Sequence, residues 1–267
     1  MSITAAMVKD LRERTGVGMM DCKKALAECD GDEEKAIAWL REKGLSKAAK
    51  KAGRATSEGL VTVVVAADGK SAAMSELKCE TDFVSKNEEF IALAEGLATL
   101  ALEKKTDKVE DLPAEASDLT GLIGKIGENM QVGRLAYVSF SGEGAIGTYV
   151  HSTKKLGVLV ELSGQVSPEL AKDVAMQIAA ANPLCVGPDQ IPAETLAQEK
   201  EIYLNQAKEE GKPAQIAEKI VEGRIRKFYQ EVCLREQLFI KDDKKTIKDL
   251  LGKNAEIVRF FRFAIGA

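Results

Sequence analysis

Lys78-Cys79-Glu80-Thr81-Asp82-Phe83-Val84-Ser85 decides how this chain is read. It follows an alternating run with the pattern of a β-strand. It precedes a segment that opens with Ser85 and carries Glu88 three residues on, the signature of a helix-capping box. Asp82 and Phe83 therefore stand in the short connection between two rigid elements. A phenylalanine at such a place has two uses. It can fold back on its own helix as a hydrophobic staple, for which Phe83 lies near the usual position. It can also project as a wedge into a partner's pocket. Position alone favours the staple.

Working outward, Leu60–Ala67 is β-rich, Asp68-Gly69 is a hairpin turn signal and Ala72–Cys79 forms a second strand. A helix follows from about Lys86, with Phe90, Leu93, Ala94, Leu97 and Leu100 on one face. A similar block comes next: a strand at Arg134–Phe140, a turn at Gly142–Gly147, a strand at Thr148–His151 and another at Leu156–Leu162. Its helix starts near Pro168 and ends at Asn182-Pro183, with Leu170, Val174 and Ile178 four apart. Leu119, Leu122, Ile123 and Ile126 mark a further amphipathic helix between the blocks. Hairpin followed by helix thus occurs twice. The expected fold class is α+β, with a two-part core of antiparallel sheets covered by helices.

Residues 193–232 read as a helical hairpin broken at Gly211-Lys212-Pro213. Val221, Ile225, Phe228 and Val232 mark its second arm. Ile247, Leu250 and Leu251 form a short helix, and the apolar run Glu256–Ile265 is a final strand that needs a sheet, placed in the second half of the core. At the other end, residues 3–44 read as three short helices stopping at Thr15-Gly16, Asp30-Gly31 and Lys43-Gly44, with Asp32 as a cap. A small basic connector follows over 45–58. The expected domains are 1–54 (three helices and linker), 55–140 (first core half), 141–192 (second half), 193–232 (helical insert) and 233–267 (return to the second half).

The chain has 267 residues, 45% hydrophobic and 30% charged, with net charge −4. That balance argues against a general binder of nucleic acid or anionic membranes, which relies on clustered cations. Five scattered cysteines without a CxxC pair fit a reducing compartment and no structural zinc. No signal-peptide pattern or membrane-length apolar run is present, so the expected location is the cytoplasm. The single histidine, His151, would have to carry any Ser-His-Asp or Cys-His catalysis, and no nucleophile motif lies near it. No enzyme activity, metal or cofactor is expected.

Gly142-Glu143-Gly144-Ala145-Ile146-Gly147 matches GxGxxG spacing, but β-prone residues follow where a dinucleotide site needs a helix, so it reads as a hairpin turn. Gly121–Lys125 lacks the first glycine and the final hydroxyl of a phosphate loop. Met19 and Met20 are adjacent at a helix mouth, so one of the two faces outward, as on a docking patch.

Together these pieces closely resemble the bacterial elongation factor Ts family. The resemblance rests on Thr15-Gly16-Val17-Gly18-Met19-Met20-Asp21-Cys22-Lys23-Lys24-Ala25-Leu26 and Thr81-Asp82-Phe83-Val84. It rests also on Lys125-Ile126-Gly127-Glu128-Asn129, His151, Gly157-Val158-Leu159-Val160 and Ile178-Ala179-Ala180. The hairpin segments Ala217-Glu218-Lys219 and Glu222-Gly223-Arg224 add to it. The resemblance implies a ubiquitin-associated-like N-terminal domain and an inserted antiparallel coiled coil. It implies guanine-nucleotide exchange on elongation factor Tu, bound in GDP-loaded and nucleotide-free forms, with no direct nucleic-acid or membrane contact. It implies that Asp82 and Phe83, flanked by Thr81 and Val84, contact the GTPase near its magnesium site. Ile126, Gly127 and His151 match the same partner-facing side, and Met19, Met20 and Lys23 the small domain's contact. The helical hairpin is compatible with a homodimer or a two-plus-two complex. Many members continue past the last strand into a C-terminal helix, whose contacts are not carried over here. A second histidine of some members is Gln177. Rival readings are a module binding ubiquitin-like partners through residues 3–44 and a nucleotide-dependent enzyme using Gly142–Gly147.

Overall fold

The computed structural model describes residues 3–210 and 213–266. The fold is α+β and divides into two compact units, one of Met1–Thr62, Ser75–Ala136 and Ala264–Ala267, the other of Val63–Met74 and Tyr137–Phe263.

The first unit opens with α1 (Ala5–Thr15), α2 (Met19–Glu28) and α3 (Glu33–Lys51). The Thr4 hydroxyl accepts from the Met7 amide at 3.3 Å, and Asp32 accepts from Lys35 at 3.1 Å, so both starts are side-chain capped. Gly16 ends α1 at φ 64°, a left-handed turn that glycine adopts without strain. Val8, Leu11, Cys22, Ala25, Leu26 and Ala36 form the small core of this trio. Along the chain there follow β1 (Glu58–Val65), β2 (Ser71–Cys79), α4 (Asp82–Ser85), α5 (Glu88–Lys104), α6 (Ala114–Ser117), α7 (Thr120–Ile126) and β3 (Met130–Ser139), of which the end of β1, the start of β2 and the end of β3 are assigned to the other unit. One sheet has the order β1-β2-β3. Phe90, Ala94, Leu97, Ala98 and Ala101 give α5 a buried stripe, and the Ser75 hydroxyl of β2 donates to the Ala94 carbonyl at 2.8 Å.

Three expectations for this region are corrected. The third helix does not stop at Gly44. It runs to Lys51, through the segment taken as a connector. Gly44 is absent from the left-handed residues, and a Cβ on Gly124 of α7 would lie 3.2 Å from the Gly44 Cα. Gly124 thus permits a close helix crossing at Gly44, which is not a helix end. The cap of α5 is Asn87, whose side chain accepts from Glu89 and Phe90; Ser85 instead closes the short α4, donating to the Asp82 carbonyl at 2.9 Å. The strand at Arg134–Phe140, grouped with the second hairpin although it falls within the 55–140 bounds, is β3, which starts at Met130 and pairs in the first sheet. The Arg134 guanidinium on β3 meets the buried Glu76 of β2 at 2.7 Å, one tie that fixes this pairing.

The second unit contains β4 (Gly144–Val150), β5 (Leu156–Gly164) and α8 (Pro168–Ala181). It continues with α9 (Ala193–Glu209), α10 (Ala214–Val232), β6 (Leu238–Phe239), β7 (Asp242–Thr246), α11 (Ile247–Leu251) and β8 (Ala255–Ala264). The final strand finds its sheet, in the order β4-β5-β8. β4 and β5 are antiparallel, with Gly147 opposite Val160. Val158, Val160 and Leu162 of β5, Val174 and Ile178 of α8 and Ile257 of β8 belong to one buried cluster. Each such side chain contributes about 1.5–3 kcal/mol when fully buried.

The Gly142–Gly147 turn is only half a turn, because β4 begins at Gly144. A Cβ at Gly147 would fall 2.0 Å from the Ala171 carbonyl, so that glycine lets α8 lie on the sheet. Ser167 caps α8, accepting from Leu170 at 3.2 Å, and Asn182 ends it in the left-handed region at φ 46°. The two arms α9 and α10 pack together, with Ala207, Ala217 and Ile225 buried and Arg224 bonded to Gln206 and Glu210. The expected break at Gly211-Lys212 lies outside the described residues. The β6–β7 ribbon had no sequence expectation. Among the described residues no helix is long and apolar enough to cross a membrane.

Candidate partner-binding site

The strand β2 delivers the chain to Thr81, where α4 begins. Phe83 is 81% exposed while its neighbour Val84 is 6% exposed. Val84 anchors the short helix and Phe83 points away from it. The staple reading therefore fails: a side chain this exposed packs on little of its own helix. Asp82 carries an ion pair with Lys86 one turn on, at 2.7 Å.

The tip is held from beneath. Glu128 accepts from the Thr81 amide at 2.9 Å and from the Thr81 hydroxyl at 2.6 Å. Glu80 accepts from the Asn129 amide at 2.6 Å. The nearly buried Asn129 side chain donates to the Arg54 carbonyl at 2.8 Å. Hydrogen bonds to a charged group contribute about 1.5–3 kcal/mol each, enough to hold a four-residue helix in place. Burial pushes the Cys79 thiol up to about 12, with the Glu128 and Glu58 carboxylates adding to it. At neutral pH this thiol is a protonated donor to the Thr81 carbonyl, 3.2 Å away, and not a nucleophile.

Glu128 and Asn129 follow Ile126 and Gly127 directly, so the same bonds bring those two residues to the tip. Gly127 ends α7 at φ 94°, and Ile126 is half-buried. The α1–α2 corner meets α7 as well, since the Lys125 side chain crosses Gly16 and pairs with Glu89. Beyond that corner Met19 and Met20 are 54% and 76% exposed. Both methionines face outward, where one was expected to, because Cys22, Ala25 and Leu26 already fill the inner face of α2. Lys23 is exposed beside them.

His151 belongs to the second unit and opens the β4–β5 turn. Its Nδ1 accepts from the Thr153 amide at 3.3 Å and lies 2.9 Å from the Thr153 hydroxyl. A neutral ring in that setting carries its proton on Nε2, at the exposed edge. Gln177 is fully buried, donating to Gln237 and to the Leu238 carbonyl and accepting from the Ile240 amide at 2.9 Å. It holds the β6–β7 ribbon on α8. Among the described residues no three His, Cys, Asp or Glu side chains gather as metal ligands.

The family model described as Elongation factor TS matches residues 80–267, from the start of the Thr81–Phe83 tip onward. The chain belongs to the elongation factor Ts family. Whole-length relatives agree. Elongation factor Ts of Nitratidesulfovibrio vulgaris strain DP4 is 52% identical over 281 residues, covering 100% of this chain and 96% of that protein. That of Clostridium botulinum strain Alaska E43 is 50% identical over 284 residues, covering 99% and 93%. That of Methylococcus capsulatus is 50% identical over 275 residues, covering 100% and 93%. Glu80 and Glu128, which hold the tip, were assigned no role from sequence. The only signal was two acids beside the motif residues, with nothing local to say that they face each other.

Proposed function

We propose that this chain is a cytoplasmic guanine-nucleotide exchange factor for elongation factor Tu, acting by binding and not by covalent chemistry. The observation that carries the reading is Phe83, exposed at the end of a strand on a helix too short to bend, with Thr81 bonded to Glu128 behind it. A side chain presented in this way loses little entropy when a partner buries it.

The mechanism is linkage. A factor that binds the nucleotide-free GTPase more tightly than the loaded form weakens nucleotide binding by the same ratio. Phe83 enters the GTPase near its magnesium and phosphate site, and Asp82 repositions polar groups there. Full burial of a phenylalanine contributes about 1.5–3 kcal/mol, and each tenfold in rate requires about 1.4 kcal/mol. With about four fifths of that surface still to be buried, Phe83 alone supplies roughly tenfold to sixtyfold, and faster exchange draws on the wider interface. Thr81, Val84, Ile126 and Gly127 extend the contact around the wedge. Met19, Met20 and Lys23 of a ubiquitin-associated-like trio supply docking affinity, as does His151 from the second unit. The α9–α10 pair is an antiparallel coiled coil open to pairing with a second copy.

The test is release of fluorescent GDP from elongation factor Tu with and without the chain. Release that accelerates with chain concentration supports the reading. An unchanged rate at saturating chain overturns it.

A further inference from the structure

Cys185 and Cys233 come together at the base of the α9–α10 pair. Cys185 lies in the segment that follows α8, and Cys233 is the residue at which α10 ends. Their sulfurs are 3.6 Å apart. Main-chain bonds bracket them on both sides: Leu184 N–H to the Val232 carbonyl at 2.8 Å, and Leu234 N–H to the Cys185 carbonyl at 2.9 Å. The two residues are partners in a parallel bridge. Bridged chains run about 4.8 Å apart, inside the roughly 4.4–6.8 Å window of Cα separations that a disulfide spans. From 3.6 Å, closure to a bond of about 2.05 Å is a movement of roughly 1.5 Å. Other thiols sit differently: Cys22 contacts Thr15 and the Val17 carbonyl, and Cys79 the Thr81 carbonyl.

We propose that Cys185 and Cys233 form a thiol-modification site, a dithiol that a low-molecular-weight disulfide oxidises to an intramolecular bond pinning the base of the α9–α10 pair. Access sets the order of events. Cys185 is partly exposed and Cys233 fully buried. The Cys185 thiolate attacks one sulfur of RS–SR, forming Cys185–S–S–R and releasing RS⁻, which takes up the proton that Cys185 lost. Cys233 then gives up its proton and attacks the Cys185 sulfur, forming the Cys185–Cys233 bond and expelling the second RS⁻, which is protonated in turn. Two protein thiols are oxidised by two electrons and one small disulfide is reduced to two thiols. Burial pushes the Cys233 thiol up to about 12, the Cys185 contact adding to it. The second step is therefore the slow one, and it succeeds because the two sulfurs already touch. The closed form would hold the end of α10 to the segment leading into α9, so the two arms open only together.

The test uses the intact chain with glutathione disulfide at neutral pH, followed by alkylation in denaturant, digestion and mass spectrometry. The expected product is one cross-linked peptide pair containing Cys185 and Cys233, lighter by two hydrogen atoms. Titratable thiols fall from the five present by the two that join. The urea midpoint rises on oxidation and returns with dithiothreitol. Cys185→Ser abolishes the cross-link and the shift, and Cys185→Ala repeats the result if the serine disturbs packing. A lasting glutathione adduct on Cys185 with Cys233 still alkylated overturns the proposal, as does an untouched pair. A cross-link without a higher urea midpoint overturns the pinning.

Discussion

Replacing Phe83 with alanine separates folding from function, because the side chain is exposed in the free protein. With 81% of the residue in solvent, about one fifth of its burial energy is engaged in the fold. Of a full value of about 1.5–3 kcal/mol, roughly 0.3–0.6 kcal/mol is lost on folding. For a chain of this size that lowers the melting temperature by about 1–2 °C. The other four fifths, roughly 1.2–2.4 kcal/mol, is available to a partner. Used wholly in the exchange step, it corresponds to a slowing of roughly tenfold and at most about sixtyfold. The assay is stopped-flow release of fluorescent GDP from elongation factor Tu, with the rate followed to saturation in chain concentration. Loss of plateau rate places Phe83 in the ejection step, and a shift in half-saturation alone places it in docking. Phe83→Leu, which keeps much of the apolar volume, retains part of the rate. Wild-type release by Phe83→Ala would refute the wedge. So would a melting temperature lowered by more than about 5 °C, since that needs packing the structure lacks.

Other outcomes follow from particular contacts. Glu128→Ala removes both acceptors of Thr81; amide hydrogen exchange at 81–84 speeds up and stimulated GDP release falls several-fold, while α9–α10 amides are unchanged. Gly147→Ala drives a Cβ into the Ala171 carbonyl and costs about 1–3 kcal/mol, read as a lower urea midpoint. Gly44→Ala has the opposite sign: its Cβ would meet nothing closer than the Thr120 carbonyl at 3.8 Å, so the helix gains about 0.5–1 kcal/mol and melts slightly later. Burial alone would raise the Glu76 pKa, but Arg134 and Lys78 outweigh it and the carboxyl titrates below its ordinary 4.5. A depressed folded pKa gives stability that is present above the unfolded value and lost as pH falls through the folded one. Urea midpoints should therefore drop below about pH 4, and Glu76→Gln should flatten that acid limb.

Features fixed by neighbouring residues were legible in the sequence. Asp68-Gly69 makes its turn because the Asp68 carboxylate accepts from Lys70 and Gly69 takes a positive φ, both local requirements. Asp32 and Asn182 marked helix ends for the same reason. The last strand was readable because ten residues of apolar alternation have few other uses. What failed depended on distant partners. Gly44 looked like a stop, but it lies inside α3, and the missing side chain that matters for the crossing is that of Gly124, far along the chain. The strand β3 was placed with its neighbour in sequence, whereas its partner Glu76 lies in an earlier hairpin. Asn87 out-competed Ser85 as a cap because its amide oxygen reaches two main-chain donors. At the site, Asp82 and Phe83 could be picked out as a tip, but whether Phe83 folded back or stood clear rested on Val84 filling the space beneath it.

The crossing of α3 and α7 has a consequence for reach. A Cβ on Gly124 would press on the Gly44 backbone at 3.2 Å, so α3 lies against α7 with hydrogen atoms as the only spacer. That contact works like a tight bearing, and the α1–α2 corner lies beside it, with Gly16 under the side chain of Lys125, the residue next to Gly124. A single methyl at Gly124 forces the Gly44 backbone to give by a few tenths of an ångström, right where the segment that carries Met19, Met20 and Lys23 begins.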